Sequence, residues 1–403
     1  MLDFRCYHQG QVIEGSDCLR VLLVASSPPQ RRQRGLGLAL SLVLDRSSSM
    51  TVQMMEAAKK AAVAVVRQTS DEDVLMVSAF SDDFETLGGP GPCVEFHRRD
   101  LTRAIKKIKA RGGTRFSPVL EFSARKLKAY ENRLRRVLFL TDGKNTESRP
   151  LLERAVERCL ESSVEIHSWG FGSDWDADEL NYLSLQTGGK AGAILAPAQA
   201  VSAFQESFDT MVNTAATGVH FHLDLAPGVE VRSLRLTHPH VMEMRRTQKG
   251  PHVSAPLGSF GYDTQRVCLL EVSGEAGPCL DAWVQYRDSE GNDQKTRVES
   301  IQVASPQAGI SEHPYIQHYL DQLDLVDLAT AARRAIVEDE QKAEVLLVEA
   351  LTRSTALGNA NLARTLEELL SRQQDGTYRI RSGDTHGTRQ TLGLQLNQTV
   401  PHG

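Results

Sequence analysis

Unbroken apolar runs and segments of helical period alternate through the first half of the chain. Residues 36–44 (LGLALSLVL) form a continuous apolar stretch bounded by turn-like and polar residues, the pattern of a strand buried on both faces of a parallel sheet. It ends in DRSSSM. The following MEAAKKAAVAVVRQ (55–68) sets Ala and Val on one helical face and Glu56, Lys59 and Lys60 on the other. The alternation then recurs. DVLMVSAF (73–80) reads as a strand, LTRAIKKIKA (101–110) as a helix, and SPVLEFSARKLKAY (117–130) as a helix that tolerates Pro118 in its first turn. RRVLFLTDG (135–143) reads as a buried strand with an Asp at its carboxyl end, RPLLERAVERCLES (149–162) as a helix and VEIHSWGFG (164–172) as a strand. DADELNYLSLQTGG (176–189) reads as a helix stopped by Gly188 and Gly189. Strands interleaved with helices in this way predict an α/β fold with a doubly wound, mostly parallel sheet.

The texture changes near Gly218. VHFHLDL (219–225), VEVRSLRL (229–236), RVCLLEV (266–272), AWVQYRD (282–288) and TRVESIQV (296–303) alternate in polarity between Pro- and Gly-containing turns, which predicts an all-β module. Strand-like pieces around Arg5–Tyr7 and Leu19–Ala25 precede the α/β region and have no helical partners, so they are expected to join that module. The α/β domain is then inserted in a β-sandwich, with residues 26–34 and 213–218 as the connections. From Tyr315 to about Ser371 apolar residues return to three- and four-residue spacing, enough for two or three packed helices. Beyond Gln373 the chain is rich in Gly, Thr, Arg and Gln and is expected to stay flexible. The expected organisation is therefore 1–34 as sandwich strands, 35–214 as the α/β domain, 215–308 as the β-sandwich, 309–372 as a helical module and 373–403 as a tail.

Composition narrows the functions. With 403 residues, two or three domains are expected, and 40% hydrophobic with 24% charged residues is globular. The balance of 46 Lys+Arg against 51 Asp+Glu, a net charge of -5, supplies no broad cationic field for nucleic-acid phosphates. Six cysteines without a C-x-x-C pair suggest reduced thiols. A polar beginning, MLDFRCYHQG, and the lack of an apolar run near the roughly 20 residues of a membrane span argue against membrane insertion and make the cytoplasm the expected location.

The sharpest chemistry lies at three predicted loops: Asp45-x-Ser47-x-Ser49 after the first buried strand, Thr114 in RGGTRF, and Asp142 in LFLTDG. In an open α/β sheet such loops gather at the carboxyl edge of the strands, where ligands bind. Five oxygen-bearing side chains there suit a hard cation, Mg²⁺ or Mn²⁺. The simpler reading of D-x-S-x-S alone is a helix cap. Together, DRSSSM, GGT and LTDG resemble the von Willebrand factor A domain over about residues 36–214, whose metal-ion-dependent adhesion site has this pattern. The resemblance implies that Ser47, Ser49 and Thr114 ligate the metal through their hydroxyls and that Asp45 and Asp142 act mainly through bound water. It also implies that an Asp or Glu of a partner protein completes the shell. Ser48 is a departure, since many relatives carry Gly there.

Other signals are weaker. SDWDADEL (173–180) places Asp174, Asp176 and Asp178 as in a calcium loop, but Glu179 and Leu185 occupy positions where that loop wants Gly and Glu, so an acidic helix start is the better account. His220 and His222 share one face of a strand and could pair on a metal or simply line a half-exposed sheet. No nucleotide-binding loop or nucleophile elbow appears, and no general base can be nominated, so a metal-dependent hydrolase finds little support and a non-enzymatic interaction scaffold is expected. The alternative is an adaptor subunit for a separate MoxR-like or chelatase-like AAA+ ATPase. Thr377, Thr385, Thr388 and Thr391, interleaved with Arg, resemble the kinase-accessible tails of bacterial signalling proteins. Phosphorylated by a Ser/Thr kinase, they would suit a forkhead-associated domain.

Overall fold

The computed structural model of the chain describes residues 1–8, 18–29, 35–273, 277–303, 312–373, 378–381, 390 and 392–402. Two strands, β1 (Asp3–His8) and β2 (Leu19–Ser26), come first. The α/β region follows as β3 (Leu38–Asp45), α1 (Val52–Gln68), β4 (Val74–Phe80), β5 (Phe84–Pro92), α2 (Glu95–Lys106), α3 (Ser117–Leu127), β6 (Leu134–Thr141), α4 (Arg149–Glu161), β7 (Glu165–Phe171), α5 (Ala177–Thr187), β8 (Ala191–Ile194) and α6 (Ala200–Val212). Its six strands form one sheet in the order β5-β4-β3-β6-β7-β8. Every neighbouring pair is parallel except β4 with β5. The strands β3 and β4 are buried at every position, as their unbroken apolar runs require of central strands covered by helices on both faces.

Local chemistry sets the boundaries. Helix α1 begins three residues earlier than its apolar period suggests, because Thr51 caps it by accepting a hydrogen bond from the Met54 amide at 3.2 Å. Its Ala58, Ala61, Ala62, Val65 and Val66 then lie in the core with Leu40, Leu42 and Leu138 of the sheet. Strand β5 (FETLGGPGP) is missing from the sequence reading because Gly and Pro usually end strands. It is tolerated here as the antiparallel edge of the sheet.

The second unit begins with β9 (Thr214–Leu225) and continues through β10 (Glu230–His238), β11 (Met242–Glu243), β12 (Thr247–Lys249), β13 (His252–Gly261), β14 (Gln265–Ser273), β15 (Gly277–Asp288), β16 (Asp293–Lys295) and β17 (Glu299–Val303). They make two sheets, β1-β2-β14-β10-β11 and β12-β13-β9-β15-β16, with β17 on β15. The strand β2 lies antiparallel to β14, from Leu19 opposite Val272 to Ser26 opposite Gln265. The α/β region is thus inserted in a β-sandwich.

Side-chain alternation explains why β2 reads as apolar throughout. Its Val21, Leu23 and Ala25 face the sandwich interior, with Phe221 and Val284. Leu22 and Val24 face the other way, against Ile316, Tyr319 and Leu323 of α7 (Pro314–Glu338). Two more helices, α8 (Glu340–Ala356) and α9 (Ala360–Leu369), complete the helical module.

The expectation of a flexible tail needs correction within the described residues. The strand β18 (Leu370–Arg372) pairs with β19 (Tyr378–Ile380), and Leu392 and Leu396 are buried in the helical core. Leucines at two-residue spacing, Leu392, Leu394 and Leu396, supply apolar area that the polar composition of the stretch conceals. Thr377, Thr385, Thr388 and Thr391 lie outside the described residues. By contacts the chain divides into two units, Met1–Arg31 with Ala215–Asp288 and Asn292–Gly403, and Arg32–Thr214 with Ser289–Gly291. All six cysteines are free thiols.

Candidate metal centre

The loops after β3, β4 and β6 and the one before α3 are knitted by backbone hydrogen bonds. The Arg46 amide donates to Phe80 O at 2.8 Å, Ser48 to Gly112 O at 2.9 Å, Arg115 to Ser81 O at 2.9 Å and Thr146 to Thr114 O at 2.9 Å. Residues far apart in sequence are thereby held at one strand edge. Gly112 has φ of 79°, and a Cβ there would come within 2.7 Å of the Asp82 carboxylate, so the GG step before Thr114 is needed both for its left-handed turn and for the close approach.

Four of the five candidate side chains form one hydrogen-bonded group. The Ser47 and Ser49 hydroxyls both donate to the same Asp142 Oδ1, at 3.0 and 2.9 Å, and lie 2.9 Å from each other. Asp45 is oriented from both sides: Oδ1 accepts from the Ser47 amide at 2.7 Å and Oδ2 from the Thr141 hydroxyl at 2.6 Å. Thr114 is the fifth. A Cβ placed on Gly143 would stand 3.3 Å from Thr114 Oγ1 and 3.6 Å from Ser49 Oγ, so the Thr114 hydroxyl flanks the same small space and Gly143 leaves it open. Asp45, Ser47, Thr114 and Asp142 are buried, whereas Ser49 is exposed and marks the solvent side. Arg46 turns away to pair with Glu85 at 2.6 Å and Asp83 at 3.3 Å.

Burial pushes the Asp45 carboxyl up to about 6, against the hydrogen bonds from Thr141 and Ser47, and the Asp142 charge adds to the rise. Burial also raises Asp142, opposed by Ser49 and Ser47 and reinforced by Asp174. Each carboxylate therefore feels a further negative charge, an arrangement that a cation would relieve.

The donor set fits a hard ion. The hydroxyl oxygens of Ser47 and Ser49 stand 2.9 Å apart. A cis edge of an octahedral shell with Mg–O near 2.0–2.1 Å is about 2.9 Å, whereas Ca–O at 2.3–2.6 Å would need about 3.3–3.7 Å. Among the described residues no three His, Cys, Asp or Glu side chains gather as a metal cage.

Thr141 and Gly143 escaped the sequence reading; only their adjacency to Asp142 could have flagged them. The acidic run at 173–180 behaves as a helix start. Asp176 caps α5, its Oδ1 accepting from the amides of Asp178 at 2.8 Å and Glu179 at 3.0 Å. His220 and His222 lie on β9, in the other unit. Among the described residues no helix is long and apolar enough to cross a membrane.

Comparison with known proteins agrees with this architecture. Residues 38–192 match the family described as von Willebrand factor type A domain. An uncharacterized protein of Synechocystis sp. is 28% identical over 272 residues, covering 63% of this chain and 61% of the relative, so the match spans about three fifths of that protein. A von Willebrand factor type A structure from Catenulispora acidiphila superposes with a TM-score of 0.88 at 18% identity, covering 100% of this chain and 97% of its own. The ArnB paralog VWA2 from Sulfolobus acidocaldarius gives 0.65 at 17% identity, with 98% of both chains covered. These two likenesses are of fold, and they extend over the sandwich and helices as well as the inserted region. Residues 38–192 of this chain thus match the von Willebrand factor type A domain in sequence pattern and in fold.

Proposed function

We propose that the chain is a non-enzymatic, metal-dependent protein–protein interaction scaffold. Mg²⁺, or Mn²⁺ in its place, is held by the hydroxyls of Ser47, Ser49 and Thr114, while Asp45 and Asp142 act through hydrogen bonds and water. An Asp or Glu of a partner protein takes the open position. The observation that supports this most is the convergence of three hydroxyls and two buried carboxylates at the edge of the sheet, with the exposed Ser49 on its solvent side. With both carboxylates one step removed, the ion keeps enough positive charge to attract a third carboxylate.

Calorimetry on metal-stripped protein tests the ion: one Mg²⁺ per chain is expected for the wild type and none for Asp45→Ala. Partner binding is tested by recovery from the native lysate with Mg²⁺, with EDTA, and with Thr114→Ala. Loss of the same partners in the last two conditions supports the reading; unchanged recovery places recognition elsewhere on the chain. The recovered proteins also sort the finer alternatives, an AAA+ ATPase favouring the adaptor role. A kinase, or a forkhead-associated protein whose capture is sensitive to phosphatase, favours signalling through Thr377, Thr385, Thr388 and Thr391.

A further inference from the structure

A cluster of imidazole and carboxylate groups lies on the sandwich, in the unit that does not contain the five oxygen residues. His222 projects from β9 and His252 from the neighbouring β13, and His222 Nδ1 lies 3.1 Å from His252 Nε2. On the far side of the His252 ring, Nδ1 lies 2.7 Å from Asp224 Oδ1. A carboxylate only accepts hydrogen bonds, so Nδ1 of His252 carries the proton and its Nε2 offers a lone pair toward His222. This is the arrangement in which a carboxylate fixes the tautomer and ring plane of a metal-ligating histidine.

The second ring is fixed as well. His222 stacks on Trp283 of β15, with centroids 5.5 Å apart and planes 10° from parallel, and Trp283 is buried. His252 keeps 38% of its side-chain surface exposed and Asp224 52%, so an ion and its waters reach the pair from solvent.

We propose that His222 Nδ1 and His252 Nε2 bind a borderline divalent cation of the Zn²⁺ class, with Asp224 positioning His252 and water filling the remaining places. For metal–nitrogen distances of about 2.0–2.1 Å, the N···N edge of a shell runs from about 2.9 Å at right angles to about 3.4 Å in a tetrahedron. The observed 3.1 Å lies inside that interval. The proton on His222 Nδ1 moves to its Nε2 through solvent as the ion enters, so both rings remain neutral ligands. Imidazole nitrogen prefers Zn²⁺, Ni²⁺ or Cu²⁺ to Mg²⁺, so the chain would hold two chemically different metal sites in its two units.

The test is titration of the full chain with Zn²⁺ against a chromophoric chelator, in excess Mg²⁺ to occupy the oxygen site. One Zn²⁺ per chain is expected. His222→Ala and His252→Ala should each weaken it at least ~10-fold, and Asp224→Asn roughly 10-fold, as removal of a carboxylate behind a ligating histidine does. Thr114→Ala should leave it unchanged. Ni²⁺ should quench part of the tryptophan emission of the wild type, and that part should be missing in Trp283→Phe. Equal Zn²⁺ affinity in the wild type and the His222→Ala/His252→Ala double variant, or no uptake by the wild type, overturns the proposal. Circular dichroism and melting of each variant separate loss of the site from loss of the fold.

Discussion

The hydroxyl of Thr141, together with the Ser47 amide, sets how Asp45 faces the candidate site. It donates to Asp45 Oδ2 at 2.6 Å while the Gly143 amide donates back to it at 3.3 Å, so it joins the end of the strand β6 to the end of β3. Replacing it with Val keeps the shape and removes both roles. Thr141→Val should then lower Mg²⁺ affinity roughly 10-fold, as for other groups that orient a ligand without touching the metal. Stability should fall by about 1.5–3 kcal/mol, the worth of a hydrogen bond to a charged group. Calorimetry and urea denaturation check the two numbers, and Thr141→Ser should restore affinity; unchanged Mg²⁺ binding in Thr141→Val would show that Asp45 is oriented by Ser47 alone. The five oxygen residues were legible because strand-end positions announce themselves in sequence. Thr141 was not, since a Thr inside an apolar strand has no pattern that distinguishes a hydrogen-bond donor from a packing residue.

At the scale of one element, β7 carries a polar row through the α/β core. Glu165 pairs at 3.3 Å with the buried Arg136 of the neighbouring β6, and two residues on is His167, whose Nε2 has no hydrogen-bond partner among the described residues. Burial drives the His167 imidazole down to about 3, with Arg136 and Lys190 adding to the fall. The fold therefore favours the neutral ring. Its contribution is complete above the ordinary histidine pKa near 6.5 and is lost as the pH drops from there toward 3, by up to about 1.4 kcal/mol per pH unit. Denaturation followed from pH 7 to pH 4 should show this loss in the wild type and a shallower one in His167→Leu; parallel profiles would mean that other groups control acid stability.

Strands with unbroken apolar runs, such as β3, were legible within two residues. The strand β13 was not recognised, because HVSAPLGSFG mixes Pro and Gly into its alternation. The helix α6 was also passed over, although Ala200, Ala203, Phe204, Ser207, Phe208 and Met211 keep helical spacing on its buried face.

At the scale of the whole molecule, the two units have separate cores, one around Leu42, Val65 and Phe204 and the other around Leu23, Phe221 and Leu270. A fragment of residues 35–214 should be soluble and unfold in one cooperative step. A fragment that starts at residue 215 should fail to fold without the preceding strands, because β2 lies between β1 and β14 and is covered on both faces. Limited proteolysis and melting of the two fragments test this, and a stable 215–402 fragment would refute it. The insertion was readable from the change in texture at Gly218. The partner of β2 was not, since antiparallel pairing over so long a separation leaves no local trace.

That pairing also orders events on the ribosome. Arg20 of β2 bonds to Glu271 of β14, 251 positions further along the chain, at 3.1 Å. A growing chain presents LRVLLVAS long before its partner strand exists, while the entire inserted domain emerges and closes in between. The inserted half can mature early, while β2 has β1 on one edge only and keeps its other edge and its apolar faces open to association with other nascent chains. Shielding of residues 19–26 until β14 emerges thus favours correct closure of the later half.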